Sequence, residues 1–300
     1  MLMRCALALA LLLPGGARAL EVFACEPEWA ALVRVLVPDA NVVSATHGRQ
    51  DPHHIEARPA LIAQLRRADL AVCTGAQLEA GWLPMLQQRA ANPRVRDGAP
   101  GMFYASDQVD LIDPRPGIAG PFAGDVHAEG NPHLHVDPRR LLEVARGLAQ
   151  RISRIAPGRA EDVGARLTAF EAAWTRRIEA WRRAAAPLRG RTVAAQHGTF
   201  AYLWDWLGIR QTADLEPLPG MAPTPRHLQR VLDGLRAGPA PMAVVTAEYQ
   251  DTRPARWLVG QLPGTVPLLV LPATVADPAA PDALGAWIDS LLRALLQAAG

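Results

Sequence analysis

RAEDVGARLTAFEAAWTRRIEAWRRAAA, Arg159 to Ala186, is the stretch that decides the architecture. Val163, Leu167, Phe170, Trp174, Ile178, Trp181 and Ala185 recur at steps of four and three, which lays one apolar stripe along a single helix. Its 28 residues, at about 1.5 Å each, span roughly 42 Å. A helix of that length runs along a whole two-lobed protein. The helix before it, Arg139 to Ala156, is stopped by Pro157-Gly158.

On either side, short apolar runs alternate with amphipathic helices. Upstream, LEVFAC (20–25), NVVSAT (41–46), DLAVCTG (69–75) and the weaker MFYAS (102–106) read as strands. EPEWAALVRVLV, RPALIAQLRRA and LEAGWLPMLQQRA read as the helices between them. Downstream, RTVAAQ (191–196), PMAVVTAE (241–248) and VPLLVLP (266–272) are strands among four helices, the last being DALGAWIDSLLRALLQ. This alternation predicts parallel sheets covered on both faces. The fold class is therefore α/β: two (β/α) lobes, residues 20–157 and 188–300, joined by a long rigid backbone helix over 158–187. Only residues 107–136, rich in Pro, Gly and Asp, break the rhythm. A connection of that length tends to be functional.

Half of the 300 residues are apolar, so a sizeable core is expected. The net charge is +2, there is no lysine, and the arginines are scattered rather than blocked together. Nucleic acid is excluded as a partner on that ground. MLMRCALALALLLPGGARA (1–19) has an early arginine, an apolar run, a Pro-Gly-Gly break and a small-x-small ending. It reads as a signal peptide cleaved after Ala19. The run is too short to span a bilayer, and Cys5 precedes it, so the mature protein is expected to be exported without a membrane or lipid anchor. Cys25 and Cys73 then remain, as a disulfide or as two buried thiols; the sequence leaves both open.

Three of the eight histidines fall at strand ends or helix starts: His53 after the second strand, His133 before the helix at Arg139, and His197 after RTVAAQ. Ligands bind at that edge of open α/β sheets. Asp51-Pro52 and Asn131-Pro132 precede two of them. Proline fixes φ and the Asx side chain caps the turn, so the next side chain is aimed before any metal arrives. Three neutral imidazoles suit Zn²⁺. No HExxH or CxxC gathers ligands on one element, so the site requires the two lobes to face each other.

These residues also resemble a known family. DPHHIEARP (51–59) is similar to the DPHxxExxP segment of the periplasmic zinc- and manganese-binding proteins of ABC importers, the ZnuA and TroA type. NPHLHVDP (131–138) resembles their NPHxWxDP, and HGTFAYLWDWLGI (197–209) their HxAFxYLxxxxGL, in the same order and over essentially the whole mature chain. The resemblance implies metal ligation by His53, His133 and His197, and histidine at the third place points to Zn²⁺ ahead of Mn²⁺. It implies a monomeric periplasmic protein that hands its metal to an ABC transporter permease in the inner membrane. Two departures stand out. LPATV puts Ala273 where many members carry a ligating aspartate, which opens the fourth position to water first, or to His54, Glu216, Glu248 or Asp277. Glu216 and Glu248 equally suit the role of orienting an imidazole. GDVHAEG (124–130) is a short form of the family's histidine-rich insertion, with His127 as a loop metal contact. His135, His47 and His227 are expected to be structural or exposed.

Two other functions are compatible with parts of this pattern. A three-histidine zinc with an open fourth position is also a hydrolase layout, with Glu56 or Glu248 as base. A siderophore- or haem-binding protein shares the rigid-helix architecture, but only three tyrosines are present to line such a site.

Overall fold

The computed structural model describes residues 18–117 and 124–300; the expected leader, apart from Arg18 and Ala19, lies outside them. Two four-stranded parallel sheets form among these residues. The first holds β1 (Glu21–Ala24), β2 (Asn41–Ser44), β3 (Leu70–Cys73) and β4 (Met102–Tyr104) in the order β2-β1-β3-β4. The second repeats that order as β6-β5-β7-β8, with β5 (Thr192–Ala195), β6 (Arg210–Asp214), β7 (Ala243–Ala247) and β8 (Leu268–Leu271). In each sheet the strand order reverses beside the first strand, and the crevice there opens at the carboxyl ends.

β6 is an addition to the sequence reading. RQTAD alternates between exposed and half-buried residues at a sheet edge, so it carries no apolar run to announce it. Its register with β5 shifts between Val193 and Ala194.

Helices α1 (Pro27–Leu36), α2 (Pro59–Arg67) and α3 (Leu83–Ala90) serve the first sheet, and α6 (Ala201–Leu207), α7 (Pro225–Arg236) and α8 (Arg253–Gln261) the second. α4 (Pro138–Ile155), α5 (Ala160–Ala184) and α9 (Ala283–Ala299) complete the chain. The 25 residues of α5 run about 37 Å. Trp174 and Trp181, two turns apart on the expected stripe, pin its C-terminal half. The Trp174 indole N–H donates to the Pro138 carbonyl at 2.8 Å, and that of Trp181 to Asp289 Oδ1 of α9 at 2.6 Å. Exposed pairs such as Arg146–Glu171 contribute at most about 1 kcal/mol. Removing a buried tryptophan costs about 3–5 kcal/mol, so apolar packing holds the helix in place. One apolar core runs from Val22 and Leu32 through Trp174 and Trp181 to Val245 and Leu295, linking both sheets through α5.

Cys25 and Cys73 form a disulfide across the ends of β1 and β3. Beside it, the carboxyl groups of Glu26 and Glu79 are buried near one another. Burial raises Glu26 well above the usual carboxyl range, with the charges of Glu79 and Glu28 adding to it. Burial also pushes Glu79 up to about 7, against the N–H groups of Thr74 (2.6 Å) and Gly75 (3.0 Å) that bond its carboxylate. A carboxyl raised in the folded state favours folding most below its unfolded value of 4.5, and that contribution is lost as pH rises through the folded value. In thermal melts of the metal-free protein between about pH 5 and about pH 8, wild type should lose more stability with rising pH than Glu79→Gln, the difference isolating this carboxyl from other groups that titrate in the same range. An unchanged pH profile in the variant would exclude Glu79 as its source.

Candidate metal centre

His53 lies in the turn that follows β2. Asp51 Oδ1 accepts the His53 backbone N–H at 3.0 Å and stands 2.7 Å from Nδ1 of the same ring. A carboxylate accepts, so Nδ1 carries the proton and the lone pair is left on Nε2. The second Asx-Pro-His turn repeats the backbone bond: Asn131 Oδ1 accepts the His133 N–H at 2.9 Å. A single 3₁₀ turn, Leu134–Val136, then leads to α4, whose N-cap Asp137 accepts the Arg139 N–H.

His197 stands two residues beyond β5. Its Nδ1 faces Glu216 Oε2 at 2.8 Å, and that oxygen also accepts the Gly220 N–H at 2.8 Å. Gly220 has φ +76° and lies against Asp125, where a Cβ would fall 2.2 Å from Oδ2. Only glycine meets both conditions.

The three rings converge between the sheets. One ligand nitrogen from each of His53, His133 and His197 lies within 4.8 Å of the others. His133 Nε2 and His197 Nε2 are 3.3 Å apart, which matches the edge of about 3.3 Å expected for a tetrahedron with zinc–nitrogen distances near 2.05 Å. All three side chains are buried. Burial lowers His133 well below the ordinary imidazole range, and the neighbouring rings of His197 and His53 add to it. Burial also pulls on His197, but the hydrogen bond and charge of Glu216 outweigh it and raise that ring.

His127 joins them from the irregular segment, its Nε2 3.3 Å from His53 Nε2 and the two rings stacked at 5.3 Å. Burial, then the His53 and His197 rings, lower it to about 3. Glu216 backs His197, as one of its two expected roles required. His54 is exposed and turned to Asp125 at 3.6 Å. Glu248 is exposed at the end of β7, where its backbone N–H meets the Leu271 carbonyl. Asp277, also exposed, accepts the N–H of Ala279 and closes its own turn. Neither Glu248 nor Asp277 lines the cleft formed by two adjoining cavities of ≈ 640 and ≈ 600 Å³, which share Asp125, Gln196, His197 and Glu216.

His135 is buried away from the three nitrogens. Its Nε2 donates to the Ala273 carbonyl at 2.9 Å, its Nδ1 is 3.4 Å from Glu28 Oε1, and its ring stacks on Trp287. Sequence reasoning gave Asp51 and Asn131 their turn-forming part but not the contact of Asp51 with the His53 imidazole or of Asn131 with the Gly198 carbonyl, and it gave no signal for Glu28.

Two matching sheets bridged by one helix, with buried imidazoles between them, define a metal-binding solute-binding protein. The chain belongs to the family described as zinc-uptake complex component A, periplasmic, whose model matches residues 22–298. No curated protein matches it in sequence. Among solved structures it resembles that of ZnuA, with 20% identity, a TM-score of 0.74, and coverage of 94% of this chain and 100% of that one. A mutant laminin-binding adhesin (Lmb) from Streptococcus agalactiae gives 20%, 0.73, 94% and 100%. The solute-binding protein FpvC from P. aeruginosa, in complex with Ni²⁺, gives 19%, 0.70, 93% and 98%. Proteins of this family bind a substrate and are not enzymes, which sets aside the hydrolase alternative. No described helix is long and apolar enough to cross a membrane.

Replacing an acceptor behind a metal-bound histidine typically weakens binding 10–100-fold. Asp51→Asn and Glu216→Gln should each lower metal affinity by about that factor while leaving one metal per chain, as read by competition titration against a chelator of known affinity.

Proposed function

We propose that this protein captures Zn²⁺ in the periplasm, after export by a leader cleaved behind Ala19, and delivers it as a monomer to an ABC-type permease of the inner membrane. The observation that carries the reading is the convergence of His53, His133 and His197 nitrogens within 4.8 Å between the two sheets. An all-imidazole donor set favours zinc over manganese, which prefers carboxylate and water oxygens. Manganese is the second choice. His127, placed beside His53 by the segment 124–130, supplies the fourth nitrogen in this reading, ahead of water.

Elemental analysis of protein recovered from its own periplasm should find one zinc per chain. The triple variant His53→Ala, His133→Ala, His197→Ala should bind none, and full zinc content in it would sink the site. His127→Ala should retain one zinc with lower affinity and faster loss to a chelator; unchanged affinity would return the fourth corner to water. Cu²⁺ and Ni²⁺ should also bind the isolated protein, because three imidazoles follow the general affinity order of the divalent metals.

A further inference from the structure

A void of ≈ 20 Å³, bordered by Glu28, His133, His135, Thr199, Tyr249 and Ala273 among others, lies beside His133 and is not lined by His53 or His197. That volume holds one water. The Nδ1 atoms of His133 and His135 are both buried, and neither has a hydrogen-bond partner among the described residues.

The chemistry of the three groups around this void is complementary. As a ligand through Nε2, His133 carries its proton on Nδ1 and must donate. His135 donates from Nε2 to the Ala273 carbonyl, so its neutral ring presents a lone pair on Nδ1 and must accept. Glu28 Oε1, 3.4 Å from that nitrogen, is a second acceptor, and two acceptors do not bond each other. A water that accepts one bond and donates two satisfies one donor and two acceptors at once.

We propose that one buried water links His133 Nδ1–H to Glu28 and His135, and that these two residues are thereby positioning residues for the third metal histidine. The inference rests on His133 being a ligand. It gives His133 what Asp51 and Glu216 give the other two rings directly. The Glu28 carboxylate is in turn held by the Thr274 hydroxyl, so the aim of His133 depends on α1 of the first lobe and on the segment that follows β8 of the second. His135 and Ala273 stand where the resembling family spells tryptophan and aspartate. Here they act as a pair, the alanine supplying a carbonyl that fixes which nitrogen of His135 faces the void.

A crystal structure of the zinc-loaded wild type, at a resolution that orders waters, should show a water within about 3.2 Å of His133 Nδ1, Glu28 Oε1 and His135 Nδ1. Glu28→Gln should weaken zinc binding about 10–100-fold at unchanged stoichiometry. In ring ¹⁵N spectra of the metal-free variant, His133 should lose its preference for the Nδ1–H tautomer, while His53 and His197 keep theirs. A dry void in wild type overturns the proposal even where the variant does not fold. So do unchanged affinity and tautomer in Glu28→Gln, with the three-histidine site intact. Full zinc content in His133→Ala would instead overturn the ligand assignment itself.

Discussion

The side-chain amide of Asn131 ties together the two turns that carry His133 and His197. Its oxygen accepts the His133 N–H at 2.9 Å, and its nitrogen donates to the Gly198 carbonyl at 2.9 Å. One planar group thus sets the distance between imidazoles 64 positions apart in sequence. Tyr202 extends the tie, donating to the Asn131 carbonyl at 2.6 Å while accepting the Ile112 N–H at 3.1 Å. Aspartate in place of Asn131 would keep the turn but lose the donor, because a carboxylate only accepts. The amide, and not merely an Asx residue, is what the centre requires.

Neutrality is the second constraint on the site. Imidazoles this close and this buried cannot all be cations, since burial and mutual repulsion both oppose the charged form. His133 and His127 are held neutral by that environment. Neutral rings must still place their single proton on the correct nitrogen. Asp51 does this for His53, and Glu216 for His197. The carboxylates therefore act on tautomer and aim, and they leave the inward-facing nitrogens free to bind a cation.

Much of this was legible in the sequence, for identifiable reasons. The α/β alternation and the stripe on α5 follow from apolar periodicity, and the Asx-Pro-His spelling marks two turns whose geometry is local. What was not legible depends on residues far apart. β6 is a polar edge strand without an apolar run. The partners that fix His135, Glu28 and the Ala273 carbonyl, lie 107 and 138 positions away. Glu248 and Asp277 suited a metal by residue type and by their place after a strand, yet both side chains are exposed. Residue type and strand position do not determine the direction in which a side chain points. The acidic pair Glu26–Glu79 gave no sequence signal, since each residue reads alone as an ordinary helix-flanking glutamate.

The core that runs through α5 resists separation of the two sheets. Swinging the sheets apart would strip apolar surface from Trp174, Trp181 and their neighbours, at about 25 cal/mol for every Å² exposed. The segment 124–130 is tied to both lobes as well, by the Asp125 N–H on the Pro219 carbonyl and the Ala128 N–H on Gln77 Oε1. The spacing of the imidazoles is therefore held from two directions, by the core along α5 and by the short stretch that seats His127 against His53.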